Sequence, residues 1–600
     1  MILSALIAWG FIFREATALG EGFRVNSRVD VHHLSIKPKA FYRNDGDYAT
    51  VAVATEHPEC SKIGKEMLLA GGSAVDSAIS AALCIGIINN FSSGIGGGGF
   101  MLIRTGYGQS TVLNFREAAP AASTEGMFEH APQDAKRGYR SIAIPGEIRG
   151  FEAAHAKYGR LSWSQLFAPN IALARNGFPV TQKLASMLDK FQDQLRESPG
   201  MIETYFKEDG HTPKGFGELI QRPNLANTLE TIANEGANAF YQGAIARALV
   251  KDIAAHGGIA TMDDFKDYDV VESAAETINF RGYEIITASA PTSGPAALVG
   301  LKVLSELLDR PGEFEFDTDG MLKWAEMSTS QRAKFTHYLI EALKFAYATR
   351  MKLADPRFAK MGEIIWKGLK DAIIQRKAGA VKPNKTFPPG HYTEIGEEVA
   401  DKGTMHLNVY DHRDGMAVSF TSTINLEFGS KIMNRETGII YNNEMDDFSI
   451  PGKPNEFQLP PSRVNFPKGR KRPQSSSTPM IALKDGQVVL IIGGTGGSRI
   501  IASTMQAAVG ILVQGLSAAT AVSMARFHHQ LIPNELIVEH EYPGELEQLL
   551  ANRGHQVHRL RRGLYFSGVS AITVARDASC DSTVITAVSD PRKGGSTDGF

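Results

Sequence analysis

The chain has 600 residues, of which 43% are hydrophobic and 21% charged, the balance of a folded protein rather than a disordered or fibrous one. That length holds several ordinary domains or one large fold with insertions. A formal net charge of −2 excludes the strongly basic balance of a dedicated nucleic-acid binder.

From the N-terminus, Ile2 to Phe13 is an apolar run of about a dozen residues, short of the ~20 that a spanning helix needs. It fits a signal-peptide core with Ala16-Thr17-Ala18 as the small-residue cleavage site, although no Lys or Arg precedes it. Residues 1–44 are therefore expected to be a leader, either signal peptide or anchor, plus a variable segment. The expected location is the secretory pathway: outside the cell, on its surface or in a vacuole, with membrane attachment only through this N-terminus. Three cysteines, Cys60, Cys84 and Cys580, make no disulfide framework and no C-x-x-C pair. One disulfide is open to them in an oxidising compartment. Of two sequons, Asn90 and Asn384, the second lies in a polar stretch rich in Pro and Lys and is the better glycan candidate.

Ser61 to Ala70 reads as a helix stopped by Gly71-Gly72, and Ser73 to Ile88 as a second one, too apolar for the surface. A glycine cluster, Gly94 to Gly99, leads into a strand from Phe100 to Arg104. From Leu161 to Phe345 the pattern is mainly helical, with strand-like interruptions such as Glu284 to Thr287. Arg376 to Gly403 lacks apolar periodicity and reads as a long loop, functional or disordered. After it the pattern turns β. Met405, Leu407 and Val409 alternate with Thr404, His406, Asn408 and Tyr410, Asp414-Gly415 is a hairpin turn signal, and Ala417 to Ile424 is the return strand. Folding back there sets Thr404 opposite Thr421 to Asn425, within a residue or two of register. Lys468 to Arg472, a short basic run among Pro and Gly, reads as a solvated loop. Val488 to Ile492 is an apolar strand, followed by Gly493-Gly494-Thr495-Gly496-Gly497 and a helix from Arg499 to Val513.

That glycine run does not satisfy G-x-G-x-x-G, and no Walker lysine follows it. The cluster at Gly94 follows a helix rather than a strand, so neither run is a nucleotide fingerprint. His528 and His529 are adjacent and cannot both face one ion from a regular element, and no H-E-x-x-H occurs. No metal and no other cofactor is expected. A cut between Gly403 and Thr404 would give one residue both a hydroxyl and a free α-amine. The amine's ordinary pKa, roughly 7.7–8.0, suits it as base for its own hydroxyl. By itself a Gly-Thr pair before a strand carries no such meaning.

The surroundings change that. Gly403-Thr404-Met405-His406, Thr421 to Asn425, Asn442 to Phe448, Ser475-Ser476 and Gly496-Gly497 resemble the signature of the γ-glutamyltransferases, or γ-glutamyltranspeptidases. Upstream, Asn114-Phe115-Arg116-Glu117, Pro145 to Gly150 and Pro291 to Pro295 match too, so the resemblance runs from about Val51 to the C-terminus. It implies an α+β fold, the four-layer αββα sandwich of N-terminal-nucleophile hydrolases. It implies self-cleavage between Gly403 and Thr404, giving a large chain, 45–403, and a small chain, 404–600, that stay entwined in one fold. The implied reaction passes a γ-glutamyl group from glutathione or its conjugates to water, an amino acid or a dipeptide.

Carried over residue by residue, Thr404 is the nucleophile and Thr423 bonds its hydroxyl. Gly496 and Gly497, at a helix start where backbone N–H groups point outward unpaired, form the oxyanion hole. Arg116 offers a planar fork for the donor's α-carboxylate, with hydroxyls from Ser475 and Ser476. Asn425, Glu444 and Asp447 accept from its α-ammonium. Read without the family, Arg116 is a surface salt bridge, the serines a loop and the acids a solvated turn. Cys60 and Cys84 stand where animal members carry a disulfide, and Cys580 is expected free and buried. Glu427 departs from the pattern, because many relatives have an aromatic cover for the bound glutamyl group there. Two rivals remain: a glutaryl or cephalosporin acylase, whose donor lacks the α-ammonium, and an uncleaved homologue acting as a binding protein.

Overall fold

The structure is a computed structural model that describes residues 44–393, 403–452, 462–565, 567–577 and 582–600. The leader, the segment just before Gly403 and Cys580 lie outside these residues.

Two seven-stranded sheets carry the architecture. In the first, the strand order is Ser596–Gly599, Val51–Thr55, Gly403–Asp411, Met416–Asn425, Gly98–Arg104, Ser110–Phe115, Val271–Ala274. In the second it is Asp45–Tyr48, Ser582–Ser589, Gly568–Asp577, Gln487–Thr495, Met480–Lys484, Tyr283–Thr287, Glu276–Phe280. Every neighbouring pair is antiparallel. Ala52, Leu102, Tyr410 and Ala417 of the first sheet pack against Ile286, Ile481 and Ile572 of the second. The outer face of the first sheet is covered by helices that include Pro58–Leu69 and Ala74–Ile88. Gly294–Leu308, Thr329–Arg350 and Arg499–Leu512 cover the second. This is the expected four-layer αββα sandwich.

Ala74–Ile88 forms where the sequence signals it. Ser73 and Asp76 make a reciprocal capping box, and all fifteen residues of the helix are buried. A helix with no polar stripe cannot sit at a surface, and each buried Leu or Ile contributes roughly 1.5–3 kcal/mol. A disulfide joins Cys60 to Cys84, whose Cα atoms lie 5.3 Å apart, and ties this helix to the preceding one.

The period-two pattern after Gly403 resolves into two buried faces. Met405, Leu407 and Val409 enter the core beneath the helices. His406 and Asn408 face the second sheet, where Asn408 Nδ2 donates to the Ser570 carbonyl at 2.8 Å. The turn at Asp414-Gly415 puts Gly415 at φ 71°, the left-handed conformation that favours glycine. Registers Gly403–Asn425 and Met405–Ser422 differ by one residue, so the ladder carries an irregularity at Thr404.

Two expectations are corrected here. The stretch from Arg376 is not loop throughout, because helix Asp371–Ala380 runs into it and buries Ile374 and Ala378. The basic run is not wholly solvated either. Lys471 and Arg472 are buried, with Lys471 Nζ donating to the carbonyls of Val464 and Phe466, both at 2.8 Å. Buried cations persist where such acceptors surround them.

Candidate active site

The centre of the site is built on the hairpin of Gly403–Asp411 and Met416–Asn425. Thr404 is 2% exposed. Immediately before it, Gly403 is held so close to the return strand that an added Cβ would meet the Asn425 carbonyl oxygen at 2.4 Å. Only glycine fits. Asn425 has φ 69°, and its backbone N–H donates to Thr423 Oγ1 at 2.8 Å. The Thr423 hydroxyl in turn donates to the Gly403 carbonyl oxygen. Thr423 therefore engages the carbonyl of the Gly403–Thr404 peptide rather than the Thr404 hydroxyl expected from the resemblance. Lys593 Nζ lies 3.5 Å from the Thr404 carbonyl oxygen.

The second sheet supplies the glycine loop. Gly496 and Gly497 have φ 112° and 67°, and they join strand Gln487–Thr495 to helix Arg499–Leu512. No side chain caps the N-terminus of that helix, and its cap residue Ser498 donates instead to Gln530 Oε1 at 3.1 Å. Gly496 and Gly403 border one cavity of about 700 Å³.

The charge set lies in the interior. Arg116 follows strand Ser110–Phe115 and is fully buried, not the surface residue of the motif-free reading. Its guanidinium pairs with Glu444 and Asp447 and donates to the Gln474 carbonyl at 2.9 Å. Glu444 and Asp447 sit on the short 3-10 turn Glu444–Asp447. Asn442 anchors that turn: its Oδ1 accepts from Glu444 N at 3.0 Å, and its Nδ2 donates to the Gly96 and Ala143 carbonyls, both at 2.8 Å. Burial drives the Glu444 carboxyl well above the usual range, and the Arg116 charge opposes it.

Asn425 Nδ2 donates to the Asn443 carbonyl at 3.0 Å. Its Oδ1 is buried and has no hydrogen-bond partner among the described residues, a costly state for an acceptor that no ligand meets. Ser475 and Ser476 are also buried. Ser475 Oγ donates to Ser477 Oγ at 3.0 Å, and Ser476 Oγ accepts from Arg350 at 2.8 Å. The Arg116 bond to Gln474 ties this serine run to the charge set.

Sequence reasoning missed four neighbours. Burial pushes Glu117, beside Arg116, up to about 7. Burial pushes Glu147, which accepts a hydrogen bond from Ser422, up to about 8. His528 and Lys593 border the cavity. A carboxylate adjoining the arginine was the one available signal, and it concerned Glu117 alone. Asn384 is exposed, while Asn90 is 1% exposed with its Nδ2 on the Ile87 carbonyl.

His337, Glu341 and His555 bring possible ligand atoms within 4.8 Å of one another. They are already engaged: His337 Nδ1 and His555 Nε2 are 2.8 Å apart, and Lys344 Nζ lies 3.2 Å from Glu341. An ammonium held against the carboxylate leaves no anionic ligand to spare, so this is a polar network and a poor cation site.

A buried nucleophile candidate beside a glycine-opened helix, on a four-layer αββα frame, defines the class of N-terminal-nucleophile hydrolases. The gamma-glutamyltranspeptidase family model matches residues 60–600, and the chain belongs to that family. It is 39% identical over 542 residues to "Glutathione hydrolase proenzyme 1" of Schizosaccharomyces pombe, covering 88% of this chain and 83% of that protein. Among solved structures, the Helicobacter pylori gamma-glutamyltranspeptidase is 31% identical with a TM-score of 0.50, over 55% of this chain and 92% of that one. The cephalosporin acylase of Bacillus halodurans shares the fold, with a TM-score of 0.77 at 24% identity over 95% and 99% of the two chains.

Proposed function

We propose that the chain is a γ-glutamyltransferase and glutathione hydrolase that first cuts itself between Gly403 and Thr404. The observation that carries this reading is the Thr423 hydroxyl donating to the Gly403 carbonyl oxygen beside a cavity bordered by Gly403 and Gly496. That hydrogen bond polarises the carbonyl that the Thr404 hydroxyl attacks; the Gly403–Thr404 C–N bond breaks as the hydroxyl proton passes to the freed amine, and water then hydrolyses the Gly403 ester, so that the chain divides into a large chain, 45–403, and a small chain, 404–600. The new α-amine of Thr404 then takes the proton from Thr404 Oγ as the oxygen attacks the γ-carbonyl carbon of the donor. The Gly496 and Gly497 N–H groups hold the resulting oxyanion. The C–N bond breaks, the departing amine receives the proton, and the glutamyl group stays esterified to Thr404. Water, or the amine of an amino acid or dipeptide, attacks that ester by the reverse sequence.

In this reading Arg116 and the hydroxyls of Ser475 and Ser476 take the donor's α-carboxylate, while Asn425, Glu444 and Asp447 take its α-ammonium. The unmet Asn425 Oδ1 supports the second assignment, since an ammonium is a donor only. It also disfavours an acylase reading, because a glutaryl donor leaves that acceptor unmet. The Cys60–Cys84 disulfide supports an oxidising, secretory location. Among the described residues no helix is long and apolar enough to cross a membrane. Parallel assays with γ-glutamyl and glutaryl anilides test the donor assignment. The γ-glutamyl compound is expected to turn over faster, and preference for the glutaryl compound overturns the assignment.

A further inference from the structure

Arg350 is the last residue of helix Thr329–Arg350. It is 1% exposed, and the transfer chemistry above gives it no task. Its guanidinium reaches the serine run: Arg350 Nη2 donates to Ser476 Oγ at 2.8 Å. The backbone at the helix end is tied to the same run. Gln474 Nε2 donates to the carbonyls of Arg350 and Leu353, the latter at 3.0 Å. Two buried arginines therefore hold three consecutive residues, Arg116 at the Gln474 carbonyl and Arg350 at the Ser476 hydroxyl.

The two serines are not equivalent. The Ser475 hydroxyl is used in both senses, donating to Ser477 Oγ at 3.0 Å and accepting from the Ser477 N–H at 3.2 Å. Its backbone is fixed as well, with its N–H on the Pro291 carbonyl at 2.9 Å and its carbonyl accepting from Ser293 Oγ at 2.8 Å. Ser476 Oγ accepts from Arg350, and among the described residues no acceptor takes its proton. A hydroxyl carries one proton and two lone pairs. A guanidinium on one lone pair turns the proton away from the cation. The same charge polarises the O–H bond and strengthens it as a donor to an anion.

We infer that Arg350 is a positioning residue for donor binding, fixing the Ser476 hydroxyl so that its proton is presented to the donor's α-carboxylate. The inference rests on the γ-glutamyl reading above and adds a residue to it. Arg116 supplies the charge that meets the carboxylate; Arg350 acts one bond further back, through Ser476. Lysine keeps the charge at 350 but lacks the planar fork that sets the direction of the bond.

KM and kcat for a γ-glutamyl anilide are measured on purified full-length wild type, Arg350→Lys, Ser476→Ala and the double variant. Ser476→Ala is expected to raise KM at least about tenfold, the worth of one hydrogen bond to a charged group. Arg350→Lys is expected to raise KM several-fold, with kcat little changed. In the double variant KM is expected to equal that of Ser476→Ala alone, because a residue acting through a hydroxyl has nothing left to act on. Arg350→Gln, which keeps only a neutral donor, gives an independent reading of the same coupling. Self-cleavage and melting temperature report folding, and loss of both in the two Arg350 variants overturns the inference by making Arg350 structural. An unchanged KM in those variants, or KM effects that multiply in the double variant, also overturns it and leaves the γ-glutamyl reading intact. A wild type that turns over no γ-glutamyl anilide overturns that reading and the inference with it.

Discussion

The hydroxyl of Thr423 donates a hydrogen bond to the carbonyl oxygen of Gly403, the residue directly before Thr404. The bond is directional because the backbone N–H of Asn425 donates to the same hydroxyl at 2.8 Å and orients its proton toward Gly403. A donor aimed at a carbonyl that must become tetrahedral stabilises the developing charge. Thr423→Val, which keeps the branched shape, is therefore expected to slow self-cleavage by roughly 10²–10³-fold, the usual cost of one oxyanion donor. Thr423→Ser is expected to restore most of the rate. Densitometry of the two fragments against time reads the outcome, and a Val variant that cleaves at the wild-type rate would assign the bond to structure alone.

Arg116 balances two buried carboxylates, Glu444 and Asp447. Removing the cation altogether leaves both charges uncompensated, at a cost of about 3–5 kcal/mol, so Arg116→Ala confounds folding with binding. Arg116→Lys retains a charge but loses the fork that meets a carboxylate at two points. It is expected to cleave itself normally and to raise the KM for γ-glutamyl donors at least about tenfold, with a smaller change in kcat. Loss of self-cleavage in this variant would mark Arg116 as structural.

Glu147 offers a pH test. Burial holds its carboxyl up near 8, against 4.5 ordinarily, so the folded protein keeps a proton that the unfolded chain releases. Stability must then fall as pH rises between those values. Glu117, held near 7, acts in the same direction. His57 and His406, pushed down to about 4 by burial, act oppositely but only below pH 6.5. Between pH 6.5 and 8 the carboxyls govern the slope, and Glu147→Gln is expected to remove roughly 2 kcal/mol of decline over that interval. Thermal melts at the two pH values measure it; equal declines in wild type and variant refute the assignment.

The hairpin, the fully buried helix and the strand-to-helix glycine turn were legible because each is specified by neighbours a few residues apart. Period two, the Asp414-Gly415 signal and the Ser73 cap are local. The charge set is not: Arg116 and Asp447 are 331 residues apart, and no periodicity relates them. Only the combined motifs named them as a group, and even then their burial was invisible. Lys471 and Arg472 show the same limit, since a basic run among Pro and Gly carries no sign of the carbonyls that enclose it.

Self-cleavage before Thr404 is the claim on which the rest depends, and denaturing electrophoresis with N-terminal sequencing of the shorter fragment tests it most directly. The account predicts two fragments in the wild type, the shorter beginning at Thr404, and a single uncut chain in Thr404→Ala. A single uncut chain in both proteins, or a shorter fragment beginning elsewhere, would contradict it.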